Sequence, residues 1–292
     1  MSRPVVVAVD GTADGRRALC RGIDLASSYD APLRVVHVRH DNVVLAPAMP
    51  LFPEQALEEM AARMLHEALH DTRWMRWKGE KPETGLARPP RVPAIVDHSG
   101  DARCVVVGRR SSRAQHLFTG STTSGLAAYS TVPVVCVPES WDAEVRFDRV
   151  TVGVDCSDTS SPLVEAAAEI AHDLGAHVVV MHAWRPVGLY DAAISGRAFE
   201  DRWEEQTRPF IDRIVDPVRI RHPDVKIDVE LRYDRPVVAL HEIAEASDLV
   251  VIGRHRDDHA RFTPALGSTA RAVIRTAEHP VLVVPPATRA SR

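Results

Sequence analysis

The sequence predicts an α/β protein made of two repeated, doubly wound domains, each with a five-stranded, mainly parallel sheet and helices on both faces. Three observations carry that prediction. Short β-branched runs end abruptly at an acid or a glycine, as in Val5–Val9 before Asp10 and Leu249–Ile252 before Gly253, the pattern of strands buried on both faces. Helical periods separate these runs, which is the alternation of βαβ units. The whole pattern then recurs: Asp10 and Asp155, His37 and His182, and Gly108 and Gly253 each lie 145 residues apart, whereas Gly120 and Gly267, Pro133 and Pro280, and Pro138 and Pro285 lie 147 apart. The register shifts only in the loop between the glycines, where a surface connection absorbs two extra residues.

In chain order, Val5–Val9 is a strand, and Ala18, Leu19, Ile23, Leu25 and Ala26 mark one side of a helix running from Ala13 to about Ser28. Leu33–Val38 is a second strand. Pro53 and Glu54 open a helix with Leu57, Met60, Ala61, Met64, Leu65, Ala68 and Leu69 at three- and four-residue spacing. Between Arg73 and Pro93 the period is lost among Pro, Gly and charge; a third strand is expected there with no pattern to place it, followed by a short helix at Ala94–His98 and strands at Cys104–Val107 and Pro133–Val137. A polar, aperiodic segment divides domains at 1–139 and 150–292, with 140–149 as linker.

The second copy repeats the plan. Val150–Val154 and Val178–His182 are strands, and the helix between them starts at Ser161-Pro162 and closes at Gly175. A further helix covers Gly196–Val215, with Pro209 expected to kink or divide it. Val225, Ile227, Val229 and Leu231 alternate like an edge strand, and Val237–Ala246 is helical.

At 292 residues the chain holds two domains of ordinary size, and its 45% hydrophobic and 26% charged residues describe a soluble globular protein. A net charge of −4 gives no footprint for nucleic acid. No apolar run approaches the roughly 18 residues of a membrane span and no signal-peptide core precedes the first strand, so a cytoplasmic protein is expected. Four cysteines without C-x-x-C spacing read as small core residues, not as disulfides.

The chemistry-bearing residues stand at strand ends. Asp10 and Asp155 are placed to accept from an amine or hydroxyl of a ligand, or to hold the turn and cap the next helix. Gly120-Ser121 and Gly267-Ser268 fall where helices begin, and unpaired N–H groups at a helix start seat a phosphate. Arg109, Arg110 and Arg254 read first as solvated loop charges. His37 and His182 read as groups satisfying strand-end hydrogen bonds. Cys156 is either a thiol near a helix start or an inert small residue. His255, Asp257, Asp258 and His259 have metal-binding donors but only a loop to frame them, so no metal site is expected.

These motifs together resemble universal stress protein domains, twice over. The first copy offers Val7-Ala8-Val9-Asp10, His37-Val38, Val107-Gly108-Arg109-Arg110, Gly120-Ser121-Thr122-Thr123 and Pro133–Pro138; the second offers Val152-Gly153-Val154-Asp155, Val251-Ile252-Gly253-Arg254, Gly267-Ser268-Thr269 and Pro280–Val284. The resemblance implies a Rossmann-like fold and a stress-response protein binding ATP or a related adenine nucleotide, with or without magnesium, as regulatory ligand. It places Asp10 and Val38, or Asp155 and Ala183, at the adenine and ribose. The phosphates would meet Gly108, Ser111, Gly120, Ser121 and Thr123, or Gly253, Arg256, Gly267 and Ser268. It also implies pairing of the last strands within one chain, or a homodimer.

The family's loop reads Gly-x2-Gly-x9-Gly-Ser/Thr. Here Ser111 and Arg256 replace its second glycine, and Ala270 lacks the hydroxyl that Thr123 keeps, which ranks the first copy ahead as nucleotide site. A nucleotide-free interaction module is the alternative. An adenylyl-transferring enzyme is disfavoured because the Ser-Gly-Gly-x-Asp-Ser loop of those relatives is missing, and no nucleophile–base–acid spacing is present. At most slow ATP hydrolysis is expected.

Overall fold

A computed structural model describes residues 2–40, 44–46, 49–50, 52–70, 74, 77–109, 122–142, 144, 146, 148–157, 160–185, 196–254 and 266–286. The chain divides into two compact units, Met1–Ala143 and Glu144–Arg292.

Unit 1 contains β1 (Val5–Val9), α1 (Ala13–Ser28), β2 (Leu33–Val38), β3 (Val44–Ala46), β4 (Met49–Pro50), α2 (Glu54–Leu69), β5 (Glu83–Ala87), α3 (Arg91–Asp97), β6 (Cys104–Arg109), α4 (Thr122–Tyr129) and β7 (Val134–Pro138). Its sheet has the order β7-β6-β1-β2-β5 with every pair parallel. β1 is buried along its whole length because it lies inside the sheet with helices above and below. α1 packs on β1 and β6, α2 on β2 and β5, and α3 on α4. The β3–β4 antiparallel hairpin is an addition that the sequence pattern did not announce.

β5 lies inside the stretch that showed no period, and its position explains the silence. It is an edge strand whose only fully buried residue is Ala87, so its side chains carry no apolar alternation. Arg34 on β2 anchors it, reaching Glu83 at 2.7 Å and Asp101 at 2.7 Å.

Unit 2 contains β8 (Arg149–Val154), α5 (Ser160–Leu174), β9 (His177–Ala183), α6 (Arg197–Arg221), β10 (Ile227–Arg232), α7 (Pro236–Ala244), β11 (Leu249–Gly253), α8 (Ser268–Thr276) and β12 (Val281–Val284). Its order, β10-β9-β8-β11-β12, is again wholly parallel. α5 packs on α6 and α7 on α8. The expected division of the long helix at Pro209 is corrected: α6 is one 25-residue helix that passes through Pro209 and Pro217 and ends at Arg221, six residues beyond Val215. Burial outweighs the two lost backbone bonds there, since Ile211, Val215 and Val218 press a continuous stripe into the core.

Buried Cys104 and Cys136 have thiol pKa values pushed up to about 12 by desolvation, and all four cysteines are free. Cys104 and Cys136 serve as core residues, whereas Cys20 is half-buried and Cys156 exposed, which corrects the reading of all four as core residues. Among the described residues no helix is long and apolar enough to cross a membrane.

Candidate functional site

Strand order locates the crevice in each unit. From β1 the chain steps outward to β2 and β5, then returns to place β6 on the other side of β1; in unit 2 it steps from β8 to β9 and β10, then returns with β11. The order therefore reverses between β1 and β6 and between β8 and β11, the points at which a doubly wound sheet opens a cleft beyond its carboxyl ends. Asp10, Val38 and Gly108 stand at adjacent strand ends around the first reversal, and Asp155, Ala183 and Gly253 around the second.

In unit 1, Asp10 is exposed directly after β1, and its Oδ1 accepts from the backbone N–H of Thr12 at 3.1 Å and from the Thr12 hydroxyl. Thr12 in turn caps α1, its Oγ1 accepting from Gly15 N–H at 3.3 Å. The turn passes through Gly11 at φ +76, where an added Cβ would lie 2.2 Å from Met64 Cε of α2. Val38 is buried. Gly108 closes β6 against the first turn of α1: a Cβ there would lie 2.4 Å from the carbonyl oxygen of Asp14. Thr123, buried on α4, donates its hydroxyl to the Gly108 carbonyl at 2.9 Å, tying the start of α4 to the strand end. Ser111, Gly120, Ser121 and Arg110 lie outside the described residues.

His37 is buried one residue before Val38 and donates Nδ1–H to the Val9 carbonyl at 2.8 Å, so β2 is locked to β1 at the crevice floor. Burial lowers its pKa, opposed by that same bond.

In unit 2, Oδ1 of exposed Asp155 accepts from Ser157 N–H at 3.0 Å, from the Ser157 hydroxyl at 2.6 Å and from the Ser160 hydroxyl at 3.1 Å. Ser160 thus reaches the carboxylate from the place that Gly15 leaves without a side chain in unit 1. Cys156 takes Gly11's place with φ +64 and sets its Sγ 3.7 Å from both ring nitrogens of His182. Equal distances favour neither ring nitrogen as its partner. Desolvation, then the charge of Asp155, raises the thiol's pKa, so this cysteine is poorly suited to act as a thiolate. His182 repeats the strand-end bond, Nδ1–H to the Val154 carbonyl at 2.9 Å.

Ala183 is buried, Gly253 ends β11 in an exposed position, and Gly267 caps α8 through its carbonyl, which accepts from Arg271 N–H at 2.9 Å. Ser268 is the exposed first residue of α8. Arg254 is half-buried, with its backbone N–H bonded to the Val284 carbonyl and its guanidinium pKa lowered by desolvation, which corrects its reading as a solvated loop charge. Arg256 and the His255–His259 group lie outside the described residues; among the described residues no three His, Cys, Asp or Glu gather to hold a metal.

The rims of the two crevices differ in a way that sequence reasoning missed. In unit 1, Arg39 after β2 pairs with Glu54 at 2.6 Å, and Arg88 after β5 pairs with Glu58 at 2.6 Å, both acids coming from the first turns of α2. In unit 2 the residues 145 further along the same strand ends are Trp184 and Tyr233, and the facing helix offers Phe199 and Trp203. Trp184 stacks near-parallel on Trp203 with centroids 6.4 Å apart, Tyr233 meets Trp203 edge-on at 5.7 Å, and Trp203 in turn stacks on His182 at 6.0 Å. The signal was available at Arg39/Trp184 and Arg88/Tyr233, once the 145-residue register is read outside the motifs.

The fold and its strand-end residues define a class: a duplicated, doubly wound α/β protein with one candidate ligand crevice per repeat. More narrowly, the chain belongs to the universal stress protein family, whose model matches residues 1–138 and 146–285. A universal stress protein of Mycolicibacterium smegmatis is 31% identical over 297 residues, covering 97% of each chain. One from Mycobacterium tuberculosis is 30% identical over 304 residues, covering 97% of this chain and 99% of its own. Among solved structures, a universal stress protein from Archaeoglobus fulgidus superposes with a TM-score of 0.70 at 18% identity, covering 98% of this chain and 99% of its own, a likeness of fold.

Proposed function

We propose that the chain is a stress-response protein that binds ATP or a related adenine nucleotide as a regulatory ligand, and that the crevice of unit 1 is the binding half. The observation that carries this reading is Asp10, an exposed carboxylate at the end of the central strand, at the point where the strand order reverses. A carboxylate there accepts from an adenine amine or a ribose hydroxyl, with Val38 beside it as apolar floor. Gly108 and the start of α4 frame the segment that would carry Ser111, Gly120 and Ser121 toward the phosphates. In unit 2, Ser160, Cys156 and the aromatic rim crowd the same places. That crowding favours a nucleotide-free role for unit 2, as a surface for interaction with protein. Residues 140–149 serve as the linker, and catalysis goes no further than slow ATP hydrolysis.

Calorimetry with ATP and mass spectrometry of co-purified nucleotide test the reading. One nucleotide per chain is expected. Asp10→Asn should weaken binding about ten- to a hundredfold, the worth of a hydrogen bond to a charged group, and Asp155→Asn should leave it unchanged. No heat at millimolar ATP and no co-purified nucleotide would sink the proposal; loss on Asp155→Asn alone would move the site to unit 2.

A further inference from the structure

The last turn of α2 and its cap read His66-Glu67-Ala68-Leu69-His70, two imidazoles four residues apart with an acid after the first. On a helix that spacing sets both rings on one face, and the pattern recurs in zinc-binding helices for that reason. The geometry here is already paired: the two ring centroids lie 3.9 Å apart with a tilt of 37°, and both residues are exposed. His70 Nδ1 lies 2.8 Å from the His66 carbonyl, so Nδ1 carries the proton and Nε2 holds the lone pair. A metal-bound histidine is oriented by this same kind of bond to a backbone carbonyl. Buried Leu57, Ala61 and Leu65 fix the opposite face of the helix, and its carboxyl end presents the negative pole of the dipole to a cation.

We propose that His66 and His70 form a chelating site for one divalent transition ion such as Zn²⁺ or Cu²⁺. Four residues apart on one exposed helix face, the two rings need only swing apart about their side-chain torsions for a nitrogen of each to reach a single ion at the about 2.0–2.1 Å of a metal–imidazole bond. Two neutral nitrogens suit copper, nickel and zinc and do not suit magnesium or calcium, which require oxygen ligands. Among the described residues no third protein ligand joins them, so water completes the coordination. The chemistry of the site is therefore binding, and peptide hydrolysis is not assigned to it.

The test uses the full chain with any affinity tag removed, titrated with CuCl₂ and ZnCl₂ by calorimetry, with electron paramagnetic resonance of the copper form. The expected result is one ion at this site, bound more tightly for copper than for zinc, with two nitrogen couplings. His66→Gln or His70→Gln should each lower affinity roughly a hundredfold, because one ring then binds without a second donor at fixed distance. Glutamine is a good helix former and both sites are exposed, so the variants keep the fold, which circular dichroism verifies. Glu67→Gln should change affinity less than about threefold, since the acid is not a ligand. Wild-type affinity and nitrogen count in the double His→Gln variant would overturn the site, as would absence of uptake by the wild type. A loss in Glu67→Gln as large as in the histidine variants would overturn the two-imidazole assignment.

Discussion

Gly108 and Gly253 hold the same place in two copies of one fold, each near the carboxyl end of the strand beside the crevice, yet their surroundings differ. At Gly108 the backbone of α1 comes so close that an added Cβ would meet the Asp14 carbonyl oxygen at 2.4 Å and its carbon at 2.6 Å. At Gly253 the nearest atom to such a Cβ is Leu163 Cδ2 at 3.5 Å, an ordinary contact. In unit 1, then, helix packing demands glycine whether or not a phosphate ever arrives; in unit 2 packing permits a side chain. A glycine in a phosphate-loop pattern has a structural reason and a ligand reason, and only the packing around it separates them.

That contrast is broken or sharpened most strongly by Gly108→Ala against Gly253→Ala. Backbone cannot swing aside as a side chain can, so Gly108→Ala should destabilise unit 1 by about 1–3 kcal/mol, the range for overpacking. Gly253→Ala should stay within about 0.5 kcal/mol, as for a site with room. Urea midpoints of the single variants, followed by circular dichroism, decide it. Equal costs would mean that both glycines answer to one shared backbone requirement, and the comparison would fail.

The strand-end histidine of unit 1 gives the next effect. His37 is buried against the Val9 carbonyl, and burial lowers its pKa from 6.5. The unfolded chain therefore binds the proton more readily than the folded one. The stability this contributes is fully present above pH 6.5 and declines as pH falls below it, by at most about 1.4 kcal/mol per pH unit. His37→Gln keeps an N–H donor for Val9 and should reduce that slope. Burial lowers the pKa of His279 in unit 2 as well, so part of the acid sensitivity should survive. Unaltered acid sensitivity in His37→Gln would show that His37 is not its source.

How much of this was legible in the sequence follows from how strongly each residue's surroundings constrain its neighbours in the chain. The interior strands were legible because burial on both faces forces consecutive apolar residues, as in Val5–Val9. β5 was not, because an edge strand held by Arg34 and Glu83 needs no apolar alternation. Pro209 misled for the opposite reason: local chemistry opposes a helix there, and the buried stripe of Ile211, Val215 and Val218 overrides it. Asp10 and Asp155 were found by repetition, although it took coordinates to see that Ser160 reaches one of them and Gly15 cannot reach the other. The His66–His70 pair was printed in the sequence as a pentad. Only the adjacent, tilted rings at an exposed helix end turn it from a pattern into a candidate site.

The smallest effects expected are those of the rims, and they test whether ionic and aromatic partners are equivalent ways to close the same strand ends. Arg88 and Glu58 meet at 2.6 Å, but their side chains are 67% and 44% exposed, so solvent screens the pair. A double-mutant cycle with Arg88→Ala and Glu58→Ala should give a coupling of about 0.2–0.5 kcal/mol that shrinks as salt is added. Trp203 and Tyr233 meet edge-on at 5.7 Å, and the cycle with Trp203→Leu and Tyr233→Leu should give about 0.5–1.5 kcal/mol, insensitive to salt. The aromatic rim would then be the firmer of the two closures, in keeping with a unit 2 crevice packed by its own side chains and a unit 1 crevice whose rim parts at little cost. A larger, salt-dependent coupling in unit 1 would reverse that order and count against assigning the nucleotide to unit 1.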